Sequence, residues 1–435
     1  MKIALVVPPV CGMGGPIHIP LGLIFLSATI RGKHKISIID LNFPNEYDKL
    51  KRKRFDLIGF TCLSCHRDFV VKASKEIKRD YNPIIVVGGH HASLAAEDLI
   101  EQKSIDYVIR GAGDISFPQL INAIDRKRSL SNIEGLCYRK NKNNYIRDIG
   151  FVSDLDRLSL PSYGSLNLEK YLKKNGGSIL YEASRGCVHK CRFCTLWKAC
   201  KGKFAVVSKT KIFSDLRKIL AFSKNITEIR FIDNTFNYNR RRVLDVCEVM
   251  RSLRRLVKRE VNWTALIRPD KIDEKMVKEM KNSGLTSVFI GFESGNSNSL
   301  RYLRRPHKIK EICYIIDLFI RYKIITRVSF QIGFPWETKD EMRKTVDTAI
   351  NIAKRATVTA LYKFTPYPGI DIDVSSLTKK QGSSYKFVCF PIGRTMRLAF
   401  EHPLVSNSEV KETISSYRRA TSYLHFLSEF SKIKD

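Results

Sequence analysis

Acidic residues are scarce in this chain of 435 residues: 43 Asp and Glu stand against 76 Lys and Arg, a formal net charge of +33. Such a field draws in anionic partners, whether RNA, acidic peptide or lipid surface. The basic residues are spread along the chain, apart from short runs such as Lys51–Arg54 and Arg240–Arg242. Charge of this kind gives sequence-independent attraction and names no ligand, so a nucleic-acid partner is not favoured on it alone. A long apolar run is also missing. Residues 3–30 carry no Asp, Glu, Lys or Arg, but Pro8, Pro9, Pro16 and Pro20, with Gly12, Gly14, Gly15 and Gly22, break any helix there. A spanning helix needs about 20 mostly apolar residues in one run, so this stretch reads as a strand, a glycine-rich loop and the start of a buried helix. No secretory signal is visible, and a membrane span is not expected. The 11 cysteines are three clustered and the rest scattered, which is no disulfide framework and suits a reducing cytoplasm. Disorder is excluded by a hydrophobic content of 43%.

What is present is a repeated alternation. In residues 1–150 the runs Ile3–Val7, Ile36–Ile39, Leu57–Thr61, Ile84–Val87 and Tyr107–Ile109 read as strands separated by helical stretches. Short, continuous apolar strands suit a parallel sheet covered on both faces, and the alternation predicts a doubly wound, Rossmann-like α/β domain. Its crevice loops would be Pro8–Gly15, Cys62–His66, Gly88–His91 and Gly111–Asp114. Residues 151–177 read as a linker. A second series then gives strands Ile179–Ala183, Glu228–Ile232, Val261–Leu266, Ser287–Gly291, Val328–Ile332 and Val358–Tyr362. Within it, Ile272, Met276 and Met280 recur on one helical face, with Gly284 as a stop. A full eight-step barrel takes about 250 residues, so residues 178–370 predict a partial (βα)6 TIM barrel. Residues 371–435 read as a small helical appendage that helps shape a substrate pocket.

The chemistry-bearing segment is Ser184-Arg-Gly-Cys187-Val-His-Lys-Cys191-Arg-Phe-Cys194, set after the first strand of the second series. Three thiolates aimed at one point are ligands for an iron–sulfur cluster or for zinc. Three leave one coordination site open. A structural zinc site would take a fourth ligand, for which His189 and Cys200 are close in sequence. Buried, inert thiols are the remaining reading.

Cys-x3-Cys-x2-Cys at the end of the first strand of a six-step barrel resembles the radical SAM superfamily. The resemblance implies a 4Fe-4S cluster on Cys187, Cys191 and Cys194, whose open iron binds S-adenosylmethionine and cleaves it to a 5′-deoxyadenosyl radical. It also implies Phe193 near the adenine. Later strand ends match in order. Phe231-Ile-Asp-Asn-Thr-Phe236 resembles the family's acidic strand end, with Asp233 toward the cofactor and Asn234 where a second Asp is common. Arg268 follows the third strand. Gly291-Phe-Glu-Ser-Gly295 resembles Gly-x-Glu-Ser-Gly and implies Glu293 and Ser294 at the cofactor. Gly333-Phe-Pro-Trp-Glu-Thr338 has Trp336 in place of a glycine, and Pro366–Gly369 matches the segment after the sixth strand. Alone, each piece is an ordinary βα loop; their order is what is specific.

The first domain resembles the cobalamin-binding domain that precedes many radical SAM domains, through Pro8-Pro9, Pro20–Leu23, Asp40, Gly88–His90 and Arg110–Gly113. The usual Gly-Glu-Gly-Glu is Gly111-Ala-Gly-Asp114 here. No histidine has Asp two places before it, so the Asp-x-His-x-x-Gly signature is absent and no lower cobalt ligand is named. His66, His90 and His91 read as loop histidines, and Gly12–Gly15 as a tight turn. The expected activity is a cobalamin-dependent methyltransferase acting on an unactivated centre of a small molecule or peptide that the charge favours being acidic. It would be fed by an electron donor such as flavodoxin or ferredoxin. The alternatives are a radical SAM catalyst of cyclisation, rearrangement or RNA modification, and, in another class, a zinc-stapled basic RNA-binding protein.

Overall fold

A computed structural model describes residues 1–10, 17–355, 358–376, 378–379, 400–401, 404–406, 408–418 and 421. The Gly12–Gly15 turn lies outside them. The chain begins with β1 (Lys2–Val7), α1 (Leu21–Ile30), β2 (Lys35–Asp40), α2 (Glu46–Arg52), β3 (Leu57–Thr61), α3 (Arg67–Tyr81), β4 (Ile84–Gly88), α4 (His90–Leu94), α5 (Ala96–Ile100), β5 (Tyr107–Ile109) and α6 (Gly113–Asp125). These strands form a parallel sheet in the order 2-1-3-4-5, extended antiparallel by β6 (Leu136–Lys140) and β7 (Asn143–Ile146). The strand order reverses direction between β1 and β3. Ligands of such sheets bind at that switch point, outside the carboxyl ends of the strands. Separate apolar cores cover the two faces, one around Val6, Ile58, Ile77 and Val87, the other around Leu5, Val86, Phe117 and Leu120.

The β6–β7 hairpin was not expected from sequence. Its two-residue turn, Asn141-Lys142, has φ of 50° and 65°. Such turns favour Asn-Gly, and lysine in the second place hides the signal. The pair is held by Tyr138 stacked on Tyr145, with ring centroids 5.1 Å apart.

Residues 151–177, expected as a linker, are instead part of the core. They carry α7 (Leu168–Asn175), whose Leu168, Tyr171 and Leu172 lie one turn apart and pack with the barrel. The same apolar cluster takes in Ile19, Leu21, Ile24 and Phe43 of the first domain. Tyr171 donates from its hydroxyl to buried Asp40 at 2.9 Å, and Tyr163 to the Leu180 carbonyl at 3.1 Å. The Pro and Gly residues that suggested a linker punctuate short turns between buried side chains.

The second sheet is parallel throughout: β8 (Ser178–Tyr181), then β11 (Glu228–Phe231), β12 (Asn262–Ile267), β13 (Leu285–Glu293), β14 (Ile325–Ile332) and β15 (Val358–Lys363), paired in that order. β8 and β15 are not paired with each other, so the barrel is open. Helices α9 (Lys209–Leu220), α10 (Arg240–Val257), α11 (Glu274–Asn282), α12 (Ser297–Tyr302), α13 (Ile309–Arg321) and α14 (Lys339–Ala353) fill the crossovers. A small hairpin of β9 (Ser184–Gly186) and β10 (Phe204–Val206) brackets α8 (Leu196–Ala199) and follows β8 directly. Residues 408–418 are helical. Their Val410, Ile414 and Tyr417 join the barrel core, and the Tyr417 hydroxyl meets Thr359 Oγ1 at 2.6 Å on β15. Among the described residues, the C-terminal helix thus covers the open edge of the barrel. No helix among them is long and apolar enough to cross a membrane.

Candidate active site

The three clustered cysteines sit on the loop between β9 and α8, at the carboxyl end of the barrel. Gly186 at the base of this loop has φ of +93°, and a side chain there would strike the Lys203 carbonyl across the hairpin. Only glycine lets the hairpin close. Cys187 and Cys191 are buried and Cys194 half-buried. Cys187 Sγ lies 3.3 Å from Thr235 Oγ1, and Arg268 Nη1 donates to Cys191 Sγ at 3.6 Å. Burial pushes the Cys194 thiol up to about 11, the cost a metal would relieve by holding the thiolate. No three His, Cys, Asp or Glu side chains among the described residues are gathered closely enough to hold one metal ion.

The zinc alternatives in sequence point elsewhere. Cys200 Sγ accepts the Cys187 backbone N–H at 3.3 Å and faces the Cys187 carbonyl at 3.5 Å. It supports the loop backbone from behind. His189 is half-buried, and burial, reinforced by Arg268, pushes it down to about 4.

Around the thiols the barrel ends supply a cationic wall. Arg268 is buried; its Nη2 meets His307 Nε2 at 3.2 Å, and its backbone N–H donates to Asn237 Oδ1 at 3.0 Å. Burial, then the neighbouring Arg305, pushes His307 down to about 4. Arg305 is also buried, donates to the Gly291 carbonyl, and lies 4.0 Å from Glu293 Oε1. Glu293 sits at a register shift in the β13–β14 ladder with φ of +75°. That conformation is costly for a residue with a side chain and is retained where a site needs it. Gln331 Nε2 donates to Glu293 Oε2 at 2.8 Å. One buried guanidinium, Arg268, donates to a buried thiol, and a second, Arg305, lies beside a carboxylate.

Of the residues singled out in sequence, Arg268 and Glu293 meet the thiols' surroundings. Phe193 is partly buried in a separate apolar cluster with Leu303, Phe334, Trp336 and Ile370. Two others, Asp233 and Ser294, are enclosed by protein. Asp233 is fully buried and accepts from Ala183 N at 3.1 Å and from Ser184 Oγ, with Arg242 Nη2 3.6 Å away. Burial raises it to about 6 against the pull of Arg242. Its carboxylate fastens the β8–β9 junction at the base of the cysteine loop. Ser294 is likewise buried; its Oγ pairs with Thr345 Oγ1 at 3.0 Å and accepts from Asn296 N at 3.1 Å. It shapes the entry to α12. Sequence reasoning missed Thr235, Arg305 and His307. Thr235 lay inside a quoted motif, whereas Arg305 and His307 follow α12 with no motif to mark them.

An apolar opening lies between the domains. A cavity of about 370 Å³ is walled on one side by Gly59–Thr61, Gly88–His90 and Gly111–Asp114 and on the other by Glu182, Arg185, Gly186, Leu196, Cys200 and Asn234. Its inner end runs onto the α1/α6 face of the first sheet, past Leu5, Val86, Ile109 and Phe117. Gly59 keeps that end open, since a Cβ there would lie 3.1 Å from Leu5 Cδ2. An apolar well at the switch point, with glycine walls and a few polar groups at the rim, suits a large planar cofactor with an attached nucleotide. Arg185, Gly186 and Leu196, which flank the cysteine loop, line the same cavity.

An α/β cofactor domain facing the cysteine loop of an open barrel defines a class of enzyme that joins two cofactors at one interface. The comparisons place the chain within it. Residues 181–349 match the radical SAM superfamily, and residues 9–121 match the B12 binding domain. The chain is 32% identical over 393 residues to an uncharacterized methyltransferase of Pyrococcus horikoshii, covering 85% of this chain and 82% of that one. It is 24% identical over 349 residues to the anaerobic magnesium-protoporphyrin IX monomethyl ester cyclase of Rubrivivax gelatinosus, covering 77% of this chain and 60% of that one. The radical S-adenosylmethionine methyltransferase TsrM from Kitasatospora setae, with cobalamin and a [4Fe-4S] cluster bound, superposes with a TM-score of 0.75 at 18% identity, over 90% of this chain and 83% of that one. The chain belongs to the radical SAM superfamily, among members with an N-terminal B12-binding domain. It is an enzyme, and its cofactors are a 4Fe-4S cluster, S-adenosylmethionine and cobalamin. That membership sets the zinc-stapled RNA-binding reading aside.

Proposed function

We propose that the chain is a cobalamin-dependent methyltransferase acting on an unactivated centre, with the cluster on Cys187, Cys191 and Cys194 and cobalamin in the interdomain cavity. The observation that supports this is the shared cavity: the carboxyl-end crevice of the first domain and the residues flanking the cysteine loop, Arg185, Gly186 and Leu196, line one space. When bound, the two cofactors supply reductive cleavage of S-adenosylmethionine and a transferable methyl group.

The chain's own residues prepare the place for that chemistry. Arg268 donates to the Cys191 sulfur and sets a cation beside that ligand. Arg305 and Glu293 offer a guanidinium and a carboxylate, side by side, to the carboxylate and amino groups of S-adenosylmethionine. Burial keeps His189 and His307 neutral at pH 7, so neither adds a competing charge. Trp336 stacks on Phe334 with centroids 5.0 Å apart and narrows the apolar side near Phe193. Holding both cofactors against one substrate supplies proximity, the largest contribution a protein makes to such reactions.

An oxygen-sensitive cluster supports a cytoplasmic setting, an electron donor such as flavodoxin or ferredoxin, and a small-molecule or peptide substrate. Cyclisation is the second reading, supported by the likeness to the magnesium-protoporphyrin ester cyclase. Anaerobic reconstitution followed by assay for 5′-deoxyadenosine and S-adenosylhomocysteine tests the proposal. Both products are expected. 5′-Deoxyadenosine alone favours cyclisation, and neither product from the wild type, or unchanged cleavage by Cys191→Ala, overturns the site.

A further inference from the structure

We propose that the first domain grips the cysteine loop at both of its ends, so that filling the interdomain cavity and assembling the cluster favour one another. This rests on the cofactor assignments above.

Upstream of the cysteines, Arg185 Nη1 donates to Asp114 Oδ2 of the first domain at 2.5 Å and Nη2 donates to Glu182 Oε2 at 2.7 Å. Both ends of the cross-domain pair are well shielded, with side-chain exposures of 17% and 8%. A shielded ion pair holds only in good geometry, because desolvation cancels much of its attraction. Downstream, Thr195 follows Cys194 directly, and its buried Oγ1 shares a 2.6 Å hydrogen bond with His90 Nε2 at the start of α4. Between these two points lie all three cysteines. The loop is therefore not carried by the barrel alone.

The same residues are the cavity's polar wall: His90, Asp114, Glu182 and Arg185 all line it. A ligand seated there touches the clamp itself, and the clamp touches the residues flanking the cysteines. Any ordering of one site is then felt at the other, and the coupling must be reciprocal in affinity. Domain docking does not depend on the clamp. The shared apolar cluster of Ile19, Ile24 and Phe43 with the barrel, and the Tyr171–Asp40 hydrogen bond, hold the interface separately.

The test is the affinity of the full chain for hydroxocobalamin, measured by equilibrium dialysis on cluster-free and anaerobically reconstituted protein. Cluster loading is expected to tighten binding about tenfold in the wild type, within the usual span of coupling between sites. In the double variant Thr195→Val with Asp114→Asn the gain should fall below about twofold, with iron and sulfide content unchanged. Thr195→Ser, which keeps the hydroxyl, should restore the gain lost in Thr195→Val. Saturating hydroxocobalamin should protect the cluster's iron from a chelator in the wild type and not in the double variant. Equal affinities with and without the cluster, or a gain undiminished in the double variant, overturn the coupling while leaving the functional reading intact. A wild type that retains neither cofactor overturns both.

Discussion

Glu337 ends the β14 loop as a carboxylic acid with almost no water around it. It is fully buried; its Oε2 accepts from Gly333 N at 2.8 Å and Phe334 N at 3.1 Å, and Ser299 Oγ donates to Oε1 at 3.4 Å. Burial raises it from 4.5 to about 7, against those backbone hydrogen bonds. The folded state therefore holds this proton more tightly than the unfolded state does. Between about pH 4.5 and pH 7 the folded form binds more protons, so stability falls as pH rises through that window. At 1.36 kcal/mol per pKa unit, the full shift costs at most about 3 kcal/mol above pH 7 and under about 1 kcal/mol at pH 5. Glu337→Gln imitates the protonated acid: its carbonyl can accept both backbone N–H groups, and its amide can donate to Ser299. The variant should be more stable than wild type by about 2 kcal/mol at pH 8 and nearly equal to it at pH 5. Thermal unfolding followed by circular dichroism at the two pH values reads the difference. A Gln variant that is destabilised at pH 8, or whose advantage is the same at both pH values, refutes the reasoning.

Three other outcomes follow from the site. Gly89→Ala should cost about 2–4 kcal/mol, seen as a lower unfolding midpoint, because φ there is +101° and a Cβ would lie 2.9 Å from Cys62 N. Arg305→Met should weaken binding of S-adenosylmethionine about tenfold in equilibrium dialysis while iron content stays at the wild-type level, since it frees Glu293 and removes one guanidinium but no thiol. Cys200→Ala should keep both its cluster and S-adenosylmethionine cleavage, because the Cys200 sulfur faces the Cys187 backbone; a variant that loses iron would return Cys200 to the ligand set.

Eleven strands of the two parallel series were legible because each is built on a short apolar pattern, continuous in β1, β3 and β4 and alternating in β11 and β12, and such patterns stand out against a Lys-rich background. The hairpins were not. β7 is exposed along its length, so it has no apolar pattern, and β9 and β10 have three residues each. The cysteines were legible from spacing, which survives without any knowledge of the fold. The roles of acids and hydroxyls were not. Asp233 and Glu293 both end a strand and look alike in sequence, yet one is enclosed by Ala183, Ser184 and Arg242 and the other lies against Arg305 and Gln331. Which of the two can meet a ligand is decided by neighbours from three other elements. Arg305 was invisible for the same reason: nothing local marks an arginine that is buried by β13.

The interface between the domains follows from the same rule that made the strands readable. Each sheet presents its loops at the carboxyl ends of its strands, and each set of loops is too short to enclose a large ligand alone. Turning the two sets toward each other gives one cavity with glycines on one side and the residues flanking the cysteine loop on the other. Residues 151–177 make that orientation specific, since α7 buries Tyr171 between Phe43 and Asp40 of the first domain, with the Tyr171 and Phe43 ring centroids 5.0 Å apart. A flexible linker would leave the two crevices free to part. A packed one holds them together before either cofactor arrives, which is the condition for a reaction whose two halves must exchange a group across a short gap.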